Sequence, residues 1–399
     1  MMKGRAWPAL LGLWGCDASP SRDDCEGENP LAAVQCVGEG ALAARPLPNL
    51  PADDLGLLRA GIFDFVEIEA VEEGLGPAFN ATSCSGCHNQ PRLGGGGPTL
   101  VTRMGRVTSD GTFEILNGSS LLPQSSIPDH RCQPQAPVDA NVFARRQTPP
   151  LFGLGLLEAI PDAVLLAAED PDDANGDGIS GRAARVRDAE TGAERVGRLG
   201  WKAQHASLRV FTAEAYRNEL GITNELFPEE HLPGVSAEAA EACDLVADPE
   251  DVRDPAGRTG VDRLTAVARF LAPLEPRDVR DDAVFRTIGC ADCHTPSLNT
   301  GPSDHPAFDR VEVWAYTDLL LHDVGTGDGI PQEDATGAEF RTPPLWGLGQ
   351  RRPYLHDGRA ADLVAAIRAH GGEATASVAA FDTLTATDQQ ALLAFLESL

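Results

Sequence analysis

The sequence has 399 residues, enough for two or three domains that each bury a core, and 42% of them are hydrophobic. Its 60 acidic and 32 basic residues give a net charge of -28, which repels phosphate backbones and anionic lipid surfaces. Nucleic acid is therefore excluded as an expected partner, and 41 glycines and 30 prolines predict long, irregular connections.

Residues 1–16 are typical of an export signal. Lys3 and Arg5 precede an apolar run that is too short to span a bilayer as a permanent helix. The run ends Leu-Trp-Gly before Cys16, which resembles a lipoprotein cleavage box, so a lipid anchor on Cys16 and an ordinary cleaved signal are both open. We expect an exported protein, periplasmic or lipid-anchored to the cell envelope.

A linker and then a helix follow. Residues 17–51 are rich in Pro, Gly and acid and predict a linker. Apolar residues then recur every three or four positions, which predicts a helix over residues 52–70. They are Leu55, Leu58, Ile62 and Val66.

The first chemical motif is CSGCH, formed by Cys84, Cys87 and His88, and four glycines at 94–97 come shortly after it. Without side chains, these glycines permit a close approach of the backbone to a bound group or a mobile loop.

An internal repeat divides the chain. RQTPPLFGLG at 146–155 is echoed by RTPPLWGLG at 341–349, and each segment follows one CxxCH motif. Because two pairs of motifs recur in the same order, duplication is favoured over coincident turn chemistry. We predict an N-terminal domain over 52–272, with an insertion at about 156–250, and a C-terminal domain over 273–399.

The insertion carries the acidic sequence DDANGDGISG. Asp173, Asn175 and Asp177 alternate before a glycine, as calcium ligands do in EF-hand-like loops. Ala184 stands where a closing acid is expected, so a calcium site and an ordinary acidic turn are both open.

Helical patterns dominate the last third of the sequence. They cover 262–274, 279–288, 359–370 and 387–399. The last begins TDQQ, where Thr387 and Gln390 predict a capping box.

The second of these helices leads into CADCH, formed by Cys290, Cys293 and His294. Two thiols three positions apart can add to the two vinyl groups of one porphyrin, and the adjoining imidazole then binds the iron. A four-cysteine zinc site would leave both following histidines unexplained, and a redox CxxC prefers a strand-to-helix setting. The sequence therefore predicts two covalent c-type haems.

Four further cysteines can form disulfides in an oxidising compartment. The simplest pairing joins Cys25 to Cys36 and Cys132 to Cys243, although four cysteines allow three connectivities and buried free thiols remain an alternative.

Together these motifs resemble the bacterial di-haem cytochrome c peroxidase superfamily, and more closely its di-haem oxidoreductase branch, sometimes labelled thiol oxidoreductase. The resemblance covers most of the chain from about Leu57. It rests on GLGPAFNATSCSGCH (74–88), NGDGISGR (175–182), GRLGWKAQ (197–204), YTDLLLHDVG (316–325), RTPPLWGLG (341–349) and PYLHDGRAADLVAAIRAHGGEA (353–374).

The resemblance implies a mainly α fold with two cytochrome c-like helical haem domains, long loops and an inserted segment. It further implies that electrons from a small cytochrome c or cupredoxin enter at the C-terminal haem and that the N-terminal haem reduces hydrogen peroxide. Calcium lies between the haems of the peroxidases. Two alternatives are a purely electron-transferring di-haem cytochrome and an oxidase of Trp or Tyr in a partner protein.

The resemblance also assigns residues near the C-terminal haem. His370 falls where the peroxidases place the sixth iron ligand, which implies bis-histidine ligation with His294, the alternative being a cation at a helix C-terminus. His356 resembles a partner of the haem propionates. Trp201 resembles the tryptophan between the haems, or is a core aromatic residue.

For the N-terminal haem, Glu219 resembles the acid-base glutamate of the peroxide pocket, the alternative being an ordinary glutamate in an acidic chain. The glutamine that accompanies it in the peroxidases is not evident, and Phe211 lies near its place. Met104 stands near the position of a displaceable ligand, and it could bind the iron, gate it or fill a gap.

Overall fold

A computed structural model describes residues 45–116, 119–128, 130–244, 246, 249–274 and 282–399, which belong to one compact unit. The predictions for the signal, for Cys16, for most of the linker and for a Cys25 to Cys36 pair lie outside these residues. No helix within these ranges is long and apolar enough to cross a membrane.

Short helices alternate with small sheets throughout the described ranges. The helices are α1 (Ala52–Val66), α2 (Cys84–Cys87), α3 (Leu154–Glu158), α4 (Asp162–Ala168), α5 (Leu208–Ala215), α6 (Ala237–Glu241), α7 (Gly260–Phe270), α8 (Ala283–Thr287), α9 (Leu363–Arg368), α10 (Thr375–Thr383) and α11 (Ala386–Ser398). Helices hold 32% of the residues and strands 16%, so the predicted mainly α fold is confirmed only in part.

The strands form small antiparallel sheets. They are β1 (Ala78–Phe79), β2 (Gly97–Val107), β3 (Phe113–Glu114), β4 (Leu121–Leu122), β5 (Ser125–Ser126), β6 (Val142–Thr148), β7 (Ala184–Arg187), β8 (Glu194–Gly197), β9 (Leu298–Asn299), β10 (Glu312–Val313), β11 (Leu321–His322) and β12 (Phe340–Arg341). The largest sheet has the order β3-β2-β4, with β6 also paired to β2. We did not predict it, because long-range pairing of β2 with β6 decides it rather than local periodicity.

Helices α1 and α7 form the N-terminal helical pair. Gly61 lets them approach closely, since a Cβ there would lie 2.0 Å from the carbonyl oxygen of Arg263. Helix α1 buries Leu58 and Phe65. It ends at Val66 rather than at the predicted residue 70, because Glu67 leaves the helical conformation with ψ 139°.

The C-terminal helices surround one apolar core. Phe285 of α8, Phe381 of α10 and Phe395 of α11 are its large buried members. The predicted helix over 359–370 is confirmed as the shorter α9, while α10 was not predicted. Because residues 275–281 lie outside the described ranges, only the last part of the helix predicted over 279–288 is observed, as α8.

The predicted cap of the last helix is wrong by two residues. Helix α11 begins at Ala386 and its N-cap is Thr385, whose hydroxyl accepts from the backbone N–H of Asp388. Thr387 lies inside the helix, because the earlier threonine already satisfies the free N–H of the first turn.

The predicted pairing of Cys132 with Cys243 is confirmed as a disulfide that joins residues 111 positions apart. Both cysteines are buried in a small cluster with Ile127 and Leu232.

Candidate haem sites

Cys84, Cys87 and His88 line one cavity of about 220 Å³. The two cysteines lie on α2, where a spacing of three residues places both thiols on one helix face. Ser83 caps this helix, since its hydroxyl accepts from the N–H of Gly86 at 3.1 Å.

The glycine run shapes the backbone around His88. The Nδ1–H of His88 donates to the carbonyl of Gly95 at 3.0 Å, which leaves Nε2 as the nitrogen that can bind iron. A Cβ on Gly95 would lie 1.9 Å from the carbonyl oxygen of Gln90, and one on Gly97 would lie 2.3 Å from that of Cys87. The glycines therefore let the chain fold closely against its own haem-binding segment. Burial lowers the pKa of His88 to about 4, so the ring is neutral, as a ligand must be.

Cys290, Cys293, His294 and His370 line a second cavity of about 250 Å³. The Nδ1–H of His294 donates to the carbonyl of Tyr316 at 3.0 Å. That of His370 donates to Ala366 at 2.7 Å. Burial lowers the pKa of His294 to about 4 and also lowers the pKa of His370. The cavity thus brings His294 and His370, both neutral, together with the two cysteines. A bis-histidine c-type haem needs this set of residues.

The two cavities share a wall. Trp201 lines both, and its indole N–H donates to the carbonyl of Gln147 at 2.8 Å. The shared wall also includes Thr148, Pro149 and Pro150 of one repeat and Arg341 and Pro343 of the other. The repeated motif is therefore where the two cavities meet, and Trp201 lies in their shared wall, while its role between two haems stays a prediction.

Two arginines without carboxylate partners among the described residues also line both cavities, and Arg341 is buried while Arg351 is half-buried. In the described ranges, Arg341 donates only to the carbonyls of Gly200 and Thr342, and Arg351 donates to that of Pro344. Burial lowers the pKa of each guanidinium to about 10, which still leaves both charged near neutral pH. A buried cation needs an anionic partner, and haem propionates would supply it.

His356 is also suited to contact a haem propionate. It lines the second cavity, stacks on Phe340 with ring centroids 4.0 Å apart, and its buried Nε2 has no hydrogen-bond partner. Burial lowers the pKa of His356 to about 4. An unpartnered buried nitrogen is costly, so it is suited to a bound acceptor such as a propionate.

Among the described residues, the wall of the first cavity carries one carboxylate, Glu219, and Arg103 is one of four arginines in it, with Arg146, Arg341 and Arg351. Asn80 donates to Glu219 at 2.7 Å. Burial raises the pKa of Glu219, although Asn80 and the charge of Arg103 oppose the shift. Phe211, which stands near the place of the glutamine found in the peroxidases, lines the cavity. Gln204 lines it as well.

Met104 does not line this cavity, and its predicted place is taken by Arg103. Side chains alternate between the two faces of β2, and Val101 and Arg103 occupy the face toward the cavity. Met104 is fully buried on the opposite face. Of its three predicted roles, the geometry therefore fits packing and corrects the assignment as an iron ligand.

The acidic loop satisfies its side chains internally. Asp173 accepts from the N–H of Gly178, Asn175 from that of Asp177, and Asp177 from that of Ile179. Among described residues, one group of three potential metal ligands is close together, and it is Cys293, Asp318 and His322 rather than this loop. Cys293 and His322 of that group line the second cavity, where Cys293 is a candidate haem thioether position, so we do not assign a separate metal site there. Calcium at Asp173, Asn175 and Asp177 stays a prediction.

Several residues of these sites were missed from sequence. They are Arg103, Gln204, His322, Arg341 and Arg351. A signal existed for Arg341, because it opens the second copy of the repeat as Arg146 opens the first, and both arginines line a cavity.

The chain is similar to known proteins over much of its length. The sequence pattern of a family described as "Di-haem oxidoreductase, putative peroxidase" matches residues 135–399. A segment of the chain is 29% identical over 126 residues to the methylamine utilization protein MauG of Methylorubrum extorquens, which covers 28% of this chain and 31% of that relative. The match thus spans about a third of the relative's length.

Two solved structures align with most of the chain. Hydrazine synthase of Kuenenia stuttgartiensis, pressurized with 20 bar xenon, aligns with a TM-score of 0.41 and 14% identity over 100% of this chain and 98% of the other. A MauG-like protein associated with microbial copper homeostasis aligns with a TM-score of 0.37 and 16% identity over 91% and 95%.

Proposed function

The chain belongs to the di-haem oxidoreductase family, and we propose that it reduces hydrogen peroxide with electrons from a small redox protein. In this proposal electrons enter at the C-terminal haem and peroxide is cleaved at the N-terminal haem. One observation carries the proposal. The second cavity contains two histidines suited to iron, His294 and His370, whereas His88 is the one histidine among the described residues that line the first.

Four cysteines are suited to hold the haems. Cys84 and Cys87 would form the thioethers of one haem, and Cys290 and Cys293 those of the other. Each haem supplies a redox-active iron when bound. The buried cations of the shared wall and the Nε2 of His356 are suited to hold the propionates.

Asymmetry between the cavities separates their proposed roles. Two strong nitrogen ligands close an iron to other molecules, which suits electron transfer, while a single histidine leaves one position for a substrate. In the described part of the first cavity wall, no methionine and no second histidine is present. This arrangement supports peroxide chemistry at the N-terminal site.

Glu219 is the proposed acid-base group. Cleavage of hydrogen peroxide takes two electrons and two protons and forms two water molecules, and it requires a proton to move from one oxygen to the other. Glu219 lines the cavity and is oriented by Asn80. Its carboxyl group can accept the first proton and return it to the departing oxygen.

Trp201 is the proposed link between the two sites, because it lines both cavities and its ring is oriented by the hydrogen bond to Gln147. The proposed donor is a basic cytochrome c or cupredoxin, since a net charge of -28 attracts a basic partner. Export, a lipid anchor at Cys16 and a calcium ion belong to the proposal only as predictions from sequence.

The test uses purified holoprotein and two single-haem variants. Reduced cytochrome c should be oxidised when peroxide is added to the wild type. A variant with Cys84→Ser and Cys87→Ser should accept electrons at its remaining haem but consume no peroxide. Its counterpart with Cys290→Ser and Cys293→Ser should lose electron entry from the donor.

Absorption and EPR spectra give a second readout. We expect one low-spin six-coordinate haem and one haem that responds to peroxide. Two low-spin haems that ignore peroxide in every redox state would contradict the proposal and indicate an electron-transfer cytochrome. Oxidation of Trp or Tyr in a partner would instead change the partner's mass by oxygen addition or hydrogen loss.

A further inference from the structure

His322 is buried in the wall of the second cavity, and both of its ring nitrogens contact carboxylates. Nε2 lies 2.9 Å from Asp318 and Nδ1 lies 2.7 Å from Glu373. A neutral imidazole has one N–H, so donation to two carboxylates requires the doubly protonated ring. Burial alone would lower the pKa of His322, but its hydrogen bonds, that with Asp318 foremost, outweigh burial and raise the pKa to about 12.

One end of this bridge is attached to the segment that holds His294. The N–H of Asp318 donates to the carbonyl of Cys293 at 3.1 Å. Two residues earlier, the carbonyl of Tyr316 accepts the Nδ1–H of His294 at 3.0 Å. Asp318 therefore belongs to the short segment that orients the proximal histidine.

The other end is attached to the segment that carries His370. Glu373 lies three residues after His370 and accepts from the N–H of Asp323 at 2.8 Å. The N–H of Gly371 donates to Val324 at 2.6 Å, directly after the segment that carries His322. These contacts, made by Gly371 and Glu373, hold the segment that carries His370 against residues 322–324.

We propose that His322 is a positioning residue that ties the segments of His294 and His370 together and so keeps the C-terminal haem closed by two histidines. This inference rests on the proposed bis-histidine ligation. His322 would act through the two ligands and touch neither the iron nor the substrate.

The space around His322 is matched to an imidazole. A Cβ on Gly181 would lie 2.5 Å from Cε1 of His322. Within the described residues, neither Asp318 nor Glu373 forms an ion pair with any other side chain. Without the ring, the carboxylates of Asp318 and Glu373 would lose the cation that they share, and their repulsion would displace the segment of His370.

The test is carbon monoxide binding to the reduced holoprotein, together with EPR of the oxidised form. The wild type should bind about one carbon monoxide per chain, because a bis-histidine haem is closed to it. His370→Ala should raise the stoichiometry to about two. His322→Gln removes the positive charge and has one nitrogen in place of the two that contact Asp318 and Glu373, so it should also approach about two and lose much of the low-spin EPR signal.

His305→Gln is the matched control. His305 also contacts a carboxylate, that of Asp54 at 3.0 Å, but lines neither cavity. It should leave carbon monoxide stoichiometry and EPR unchanged. Should His322→Gln fail to load haem, Glu373→Gln removes the charge from one end of the same bridge and carries the same expectation.

The outcomes distinguish a failure of bis-histidine ligation from a failure of the positioning role of His322. If His370→Ala does not change carbon monoxide binding, bis-histidine ligation is wrong. If His370→Ala opens the haem while His322→Gln and Glu373→Gln leave it closed, ligation stands and the positioning role of His322 is overturned. Opening of the haem in both bridge variants, with no effect of His305→Gln, supports the role.

Discussion

Burial sets the protonation of the carboxyl groups nearest the first haem site. Glu219 lines the cavity, and Glu69 lies in the core with 7% of its surface exposed. For both residues burial is the largest cause of a raised pKa, which reaches about 8 for Glu69. Burial thus favours the neutral form of both carboxyl groups, and each leads to a prediction.

Glu219→Gln should lower the rate of peroxide reduction by about 10²–10⁴-fold, because the variant retains the shape of the side chain but cannot accept a proton. Haem content and absorption spectra should not change. Glu225→Gln is the control, since Glu225 pairs with Arg209 and Arg253 outside the cavity. Equal loss of turnover in both variants would remove Glu219 from the mechanism.

The pH dependence should follow from the same group. The carboxylate form accepts the proton, and burial raises the pKa of Glu219 above its ordinary 4.5. Peroxide turnover should therefore rise with pH along a limb that lies above 4.5 in the wild type, and this limb should be missing in Glu219→Gln. Steady-state rates of peroxide turnover from about pH 4 to about pH 8 test this prediction, since that range brackets ordinary and raised carboxyl pKa values.

Glu69 should make stability depend on pH. The folded state holds the Glu69 proton more tightly than the unfolded chain does, so its contribution to stability is complete below pH 4.5 and is lost as pH rises toward about 8. Glu69→Gln should flatten this dependence and raise the free energy of unfolding by about 2 kcal/mol at pH 7, since solvent screening reduces the full electrostatic cost. Denaturant titrations at several pH values measure it, with Glu72→Gln, at an exposed site, as the control. A pH profile identical to that of the wild type would refute the prediction.

At the scale of elements, pairing and covalent links position groups that short helices alone could not hold. Strand β2 presents Arg103 to the first cavity because its partner β6 fixes which face is turned inward. The disulfide joins the turn His130–Cys132 to the chain just after α6, across 111 residues. Closing so long a loop restricts the unfolded chain.

Cys132→Ser should lower the free energy of unfolding by about 2–5 kcal/mol, because it releases this loop. Cys243→Ser and the double variant should give the same loss, since either change removes the same bond. Denaturant unfolding followed by circular dichroism measures it. Losses that add in the double variant would mean that the cysteines stabilise the fold by packing rather than by their bond.

At the scale of the whole molecule, the two haem sites depend on one shared wall. Both copies of the repeat and Trp201 contribute to it, and buried arginines face each cavity from it. A change in this wall is therefore expected to affect communication between the sites more than either site alone.

Trp201→Phe should slow electron transfer between the haems and leave their reduction by dithionite intact, because it removes the larger π-system and the indole donor to Gln147. Rapid mixing of the half-reduced protein with peroxide follows the transfer. Trp314→Phe is the control, since Trp314 lines neither cavity. An unchanged transfer rate in Trp201→Phe would show that electrons cross the wall by another route.

The local spacing of residues in the sequence was sufficient to predict part of the haem sites and some of the helices. The two CxxCH motifs identify the haem-binding cysteines and histidines because their chemistry depends on neighbouring residues. The repeat and the resemblance located Trp201, Glu219, His356 and His370, which all line a cavity. Helices α1, α7 and α11 were predicted because apolar periodicity is a local signal, although their ends depended on caps.

Tertiary structure decided what depends on distant segments. Met104 and Arg103 are adjacent in sequence, and only the pairing of β2 with β6 determines that Arg103 lines the first cavity. The bridge from Asp318 through His322 to Glu373 joins distant segments, since His322 and Glu373 are 51 positions apart in the sequence. By itself the sequence determined that two haems are bound, because the attachment chemistry is local. The proposal that the N-terminal haem is the open one depends on packing, because the side chains that line each cavity come from segments far apart in the chain.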